Sequence, residues 1–247
     1  MESKFKLPTE TVELPSKGLL YPKDSPLSSG KIEMKYMTAK EEDILTNQNY
    51  IDKGTVIDKL LESLIVTENV DYKTLLMGDK NAIMIAARVL SYGKDYEFQY
   101  RGKPEVADLS LLENKELHTL IEECKGVNSF KFKLPTTGNE VTFKILTHQD
   151  EKNIEREETG LKKLNKDSST MVTTRMKHII TSINGLSEVK DIREFVGTYL
   201  LAKDARALRK FYNQINPDIN LKVQVGDGEE DVNLPIGLSF FWPDTGL

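Results

Sequence analysis

Hydrophobic and polar positions alternate between two periods along this chain. Lys31 to Met37 alternates strictly, with Ile32, Met34 and Tyr36 on one side and Lys31, Glu33 and Lys35 on the other. This predicts a half-buried strand. Thr38 followed by Glu41 is a capping-box pair that starts a short helix. Val56, Ile57, Leu60, Leu61 and Leu64 then fall on one helical face. Asp79 is expected to cap a second helix carrying Ala82, Ile83, Ile85, Ala86, Ala87, Val89 and Leu90, which is apolar almost all round and closed by Gly93.

Period two returns at Tyr96, Phe98 and Tyr100, and after Gly102–Lys103–Pro104 come Val106 and Leu109, which predicts a small β-hairpin. Phe130, Phe132 and Leu134 face Val141, Phe143 and Ile145 across Thr137–Gly138–Asn139, the clearest hairpin signal in the chain. Thr147 with Asp150 predicts another helix start, followed by a solvated helix to Lys163 and a polar loop from Lys162 to Thr170. Val172, Met176, Ile179, Ile180 and Ile183 make an amphipathic helical stripe ended by Gly185. Ser187 and Asp204 are read as the starts of two further helices, the second ending before Pro217. Ile219, Leu221, Val223 and Val225 then alternate into a Gly226–Asp227–Gly228 turn, and Val232 and Leu234 return from it.

The first thirty residues break both periods. Pro15, Gly18, Pro22, Pro26 and Gly30 interrupt Val12, Leu14, Leu19, Leu20 and Tyr21. Proline fixes φ and lacks a donor, so an extended arm is expected here rather than a helix or a central strand. The fold class is therefore α+β, a helical core with antiparallel β-hairpins. Three regions follow: an arm over 1–30, a helical subdomain with a hairpin over 31–129, and a hairpin, helices, C-terminal hairpin and aromatic tail over 130–247. No internal repeat and no low-complexity tract stands out.

Composition narrows the function classes. The 247 residues are 38% hydrophobic and 30% charged, and no uncharged apolar run approaches a membrane span. The N-terminus lacks the apolar core of a secretory signal, so a soluble chain is expected. Net charge is −5, and Gly226 to Leu247 holds acidic residues but no Lys or Arg. Without a basic stripe, nucleic acid is not expected as a main partner.

Candidate chemistry is sparse. There is no P-loop and no G-x-G-x-x-G. The single Cys124 excludes a disulfide within the chain and sits beside acids that disfavour its thiolate. Asp227, Glu229, Glu230 and Asp231 lack EF-hand spacing, and His118, His148 and His178 lack metal-ligand neighbours, so no cofactor or metal is expected. What remains is surface for partners: Leu14, Pro15, Leu19, Leu20 and Tyr21 in the arm, and Phe240, Phe241, Trp242 and Pro243 in the tail. Aromatic anchors are typical of interface hot spots, although a tail of this kind can also fold back as a lid on its own core. The rival reading is a cytoplasmic enzyme in which two of the three histidines and a carboxylate share a deep pocket.

An ordered set of short motifs resembles a family of T-even-type bacteriophage baseplate proteins that includes a hub subunit and a hub-assembly factor. They are Val12–Tyr21, Met37–Glu42, Gly78-Asp79-Lys80-Asn81, Leu90-Ser91-Tyr92-Gly93, Leu134–Gly138, and Leu234-Pro235 leading to Phe240–Pro243. The resemblance implies a non-enzymatic protein of the tail baseplate, acting through contacts with other phage tail proteins in the virion or during assembly in the host cytoplasm. Relatives in that family can carry C-x-x-C pairs at segments matching Tyr100–Pro104 and Val225–Gly228. This chain has no cysteine at either, which implies hairpins held without a metal.

Overall fold

The structure is a computed structural model that describes residues 7–164, 170–226 and 230–241. The arm is not free. Thr9–Glu13 (β1) pairs antiparallel with Lys31–Lys35 (β2), the expected alternating strand, and Val12 lies opposite Ile32. Between them Pro26 opens a short 3-10 turn, Pro26–Ser29, where its missing N–H costs nothing. The Thr38–Glu41 capping box starts Ala39–Leu45 (α1), followed by Gln48–Asp52 (α2), Val56–Leu64 (α3) and the central helix Met77–Tyr92 (α4). Asp95–Tyr100 (β3) and Lys103–Asp108 (β4) form the next hairpin, and Thr119–Glu123 (α5) leads away from it.

Phe130–Lys133 (β5) and Glu140–Phe143 (β6) form the predicted middle hairpin. Then come His148–Leu164 (α6), Met171–Ile179 (α7) and Ile180–Ile183 (β7), which adds to the free side of β6. The expected helical stripe therefore stops at Ile179. Ile180 and Ile183 are β-branched and stay buried, but they reach the core from a strand whose backbone is bonded to β6. Val189–Glu194 (α8) runs into a π-helical turn, Phe195–Tyr199. Ala202–Ile215 (α9) follows, and Lys222–Val225 (β8) pairs with Glu230–Asn233 (β9). Asp227 and Gly228 of the expected turn, and 165–169 of the expected loop, lie outside the described residues.

The expectation that the chain contains no repeat is overturned. The described residues form two structural repeats that keep a few short motifs, Leu-Pro-x-x-Gly, Lys-x-x-Thr-x-x-acid and Leu-Leu-x-x-Asp, together with their fixing contacts. In repeat 1, Leu14-Pro15-Ser16-Lys17-Gly18 follows β1; in repeat 2, Leu134-Pro135-Thr136-Thr137-Gly138 follows β5. The Ser16 N–H and Oγ donate to Asp79 at 2.9 and 2.7 Å, and the Thr136 and Thr137 N–H groups donate to Asp204 at 2.8 and 3.1 Å. Both carboxylates sit inside the first turn of their helix, after Leu75-Leu76 and Leu200-Leu201. Neither is the expected cap: Leu76 and Leu201 occupy the N-cap positions, and the acids hold a distant loop.

The helix after the hairpin repeats as well. Thr38 N–H and Oγ1 donate to Glu41 at 3.0 and 2.6 Å, and Lys35 Nζ pairs with the same carboxylate at 2.8 Å. Thr147 donates in the same way to Asp150 at 3.0 and 2.9 Å, with Lys144 at 2.7 Å. The residue after α3, Ile65, bridges to Met34 of β2, as Ile180 after α7 pairs with Phe143 of β6. Each repeat ends in a hairpin and a 3-10 turn, at Leu109–Leu111 and Leu238–Phe241.

Candidate partner interface

The residues expected to meet partners are placed mostly inside. Leu14, Leu20 and Tyr21 are core residues, Pro15 is buried, and Leu19 is half-buried. The cause is local. Asp79 accepts from the Ser16 backbone, the Ser16 hydroxyl and the Tyr21 hydroxyl (2.7 Å), and that same Tyr21 oxygen accepts the Leu76 N–H at 2.9 Å. Burial, the largest influence, pushes the Asp79 carboxyl above its ordinary range, although the donors from Tyr21 and Ser16 oppose it. Burial and the neighbouring Asp79 likewise raise the Tyr21 phenol.

The aromatic tail also folds back. Phe240 and Phe241 are fully buried, with the Phe240 ring edge-on to Tyr96 at 4.8 Å. The two terminal hairpins meet here, where the Tyr96 hydroxyl donates to Pro235 O and both Tyr100 and Arg101 reach Glu230. Phe240 and Phe241 thus lie against the core of their own chain. Trp242 and Pro243 lie outside the described residues.

The histidines are kept apart, each with a local partner. His118 Nδ1 accepts the Leu120 N–H at the start of α5, and His178 Nε2 lies 3.1 Å from Glu157. Around Glu157 is an open hollow of about 430 Å³ whose lining includes Arg156, Lys177 and Arg193. His148 enters a buried cluster at the junction of the two repeats. Its ring packs edge-on against Tyr72, 4.7 Å between centroids, and Lys80 Nζ lies 3.2 Å from Nδ1. Lys80 Nζ is also 2.7 Å from Asp58, which accepts from Tyr72 and meets Lys152 at 3.3 Å.

The electrostatics of this cluster suit a joint. Burial opposes the charge on Asp58, yet the hydrogen bond from Lys80 and the charges of Lys80, His148 and Lys152 carry it below its ordinary range. Burial, and then Lys80, lowers His148. The cluster is closed by its own ion pairs, and no group of three His, Cys, Asp or Glu suited to a metal occurs among the described residues. Sequence reasoning missed this cluster, because its members come from three helices and the turn before α4. No helix among the described residues is long and apolar enough to cross a membrane.

Large apolar side chains are exposed in both halves of the chain: Leu7, Val66, Val106 and Leu111 in the first, and Met171, Val172, Leu186, Val189, Tyr199 and Leu201 in the second. In repeat 1 the residues matching Met171 and Leu201 are Val56 and Leu76, both buried.

Comparison with protein families finds one whose description is T4 bacteriophage base plate protein, matching residues 8–242. No curated protein matches the chain, and no solved structure does.

Proposed function

The chain belongs to the family of T4 bacteriophage base plate proteins, and from that premise we propose that it acts without catalysis as a baseplate hub component or hub assembly factor. The observation that carries this reading is the family match over nearly the whole chain. Its partners are other phage tail proteins, and its place is the virion tail, reached through assembly in the host cytoplasm. The separated histidines favour a contact-making protein over the rival enzyme, for which two of them would share a pocket with a carboxylate.

Of the residues first expected at the partner surface, the buried ones hold the chain together, and the partner role passes to Leu19, Trp242 and Pro243. Trp242→Ala is expected to weaken capture of tail proteins by more than ~2 kcal/mol, the range of an interface hot spot. Phe241→Ala, which truncates a buried residue, lowers stability by about 3–5 kcal/mol. Equal capture by the Trp242 variant and the parent chain removes Trp242 from the interface. The function is tested by tagged capture from phage-infected cells together with mass spectrometry of purified virions. Presence in both marks a hub component, and capture of tail proteins with absence from virions marks an assembly factor. Capture of no tail protein contradicts the proposal.

A further inference from the structure

The two repeats leave one half of a joint open at each end of the molecule. Inside the chain, Leu75–Met77 and Leu146–His148 form an antiparallel bridge: His148 N–H donates to Leu75 O at 2.7 Å, and Met77 N–H donates to Leu146 O at 3.1 Å. Beside the bridge, α6 of repeat 2 lies against repeat 1, with His148 on Tyr72 and Lys152 on Asp58. At this covered face Val56 and Leu76 are 4% and 2% exposed.

Among the described residues the matching face of repeat 2 has no such cover. Its equivalent of Leu75–Met77 is Leu200–Ala202, and neither Leu200 O nor Ala202 N–H has a backbone partner among the described residues. Met171 and Leu201, the counterparts of Val56 and Leu76, are 58% and 46% exposed. Tyr199 is exposed beside Leu201. An unpaired backbone segment flanked by large apolar side chains is the ordinary signature of a docking edge.

The chain also carries the element that fits it. What covers repeat 1 is a capping-box helix and the residues that precede it. Among the described residues one other such element is present, Met37–Ala39 leading into α1, with the same Thr, acid and Lys contacts as Leu146–His148 and α6. It is open: Met37 O and Ala39 N–H have no backbone partner among the described residues, and Ala39 and Lys40 are exposed.

We propose that the Leu200–Ala202 edge of one copy receives Met37–Leu45 of a second copy, repeating between chains the joint that links the two repeats within one. The contact joins two different surfaces, so it is head-to-tail, and it builds a ring if the rotation closes or a row if it does not. This goes beyond the baseplate reading and stands on the two repeats alone.

Sedimentation velocity of the full-length protein over a concentration series tests it. The parent chain is expected to associate as concentration rises. Leu201→Asp on one face, or Ala39→Arg on the other, is expected to weaken association by about tenfold or more. Both sites are exposed, and thermal melts check that each variant folds. Met171→Asp is an independent variant of the first face. The decisive sample is a mixture of Leu201→Asp and Ala39→Arg chains, each retaining one good face. The mixture forms pairs and nothing longer. A parent chain that is monomeric at every concentration, association indifferent to these substitutions, or a mixture that fails to pair overturns the proposal. Protection of Leu201 by a different tail protein while the chain stays monomeric also overturns it and assigns the face to that partner.

Discussion

Single residues in this chain answer for contacts far away in sequence. Tyr21 is the sharpest case: its hydroxyl donates to Asp79 and accepts from Leu76, so one oxygen joins the arm to the start of α4. Tyr21→Phe keeps the ring and leaves the Leu76 N–H without its buried partner. It is expected to cost about 1–3 kcal/mol in chemical denaturation, and an unchanged midpoint would show that the bond contributes nothing. Gly78 is a second case. A Cβ there would lie 1.8 Å from Pro217 O, so Gly78→Ala is expected to destabilise, although alanine favours a helix by about 1 kcal/mol. A gain in melting temperature would contradict that packing. The motif Gly78-Asp79-Lys80-Asn81 was visible in the sequence, and its four jobs were not. Gly78 admits Pro217, Asp79 holds Ser16 and Tyr21, Lys80 meets Asp58, and Asn81 donates to Asp218. An aspartate near a helix start reads as a cap because capping is local, whereas the Ser16 that takes this one is 63 residues away in sequence, a separation that no local pattern encodes.

At the scale of elements, periodicity located the strands and helices well, and failed where two elements share one apolar stripe. Ile180 and Ile183 continue the spacing of α7, yet they belong to β7, because pairing with β6 supplies their backbone bonds. Ion pairing at the joint between α3, α4 and α6 was equally hidden, and it gives stability a pH dependence. The native state lowers the pKa of His148 below the ordinary 6.5 through burial and Lys80, so between the two values the unfolded chain binds a proton that the native chain refuses. The stability contributed by neutral His148 is therefore fully present above about pH 6.5 and is lost as pH falls through the native pKa. Asp58, also lowered, adds a second loss at more acidic pH, below its ordinary 3.8. Melting temperatures of the parent chain are expected to fall more between pH 7 and 5 than those of His148→Gln. Parallel curves would remove His148 as the cause.

The whole molecule was legible as a class and not as a plan. An α+β chain of hairpins and helices follows from the pattern, but the two repeats did not, because the residues they share, such as Leu-Pro-x-x-Gly and Leu-Leu-x-x-Asp, are few and scattered. Glu41 is replaced by Asp150, Ser16 by Thr136 and Thr137, and the loop between paired strands runs over 14–30 in one copy and 134–139 in the other. Such substitutions preserve hydrogen bonding and length-tolerant closure while erasing alignment. Most of the residues expected at a partner surface pack into the core of the chain for a related reason: apolar residues beside proline fit a core built from loops as well as they fit an interface. The central claim, that this family member is needed to build a phage baseplate, is tested most directly by electron microscopy of particles from infections in which its gene is interrupted. The account predicts tails without complete baseplates, restored when the intact chain is supplied in trans. Normal baseplates in its absence would contradict it.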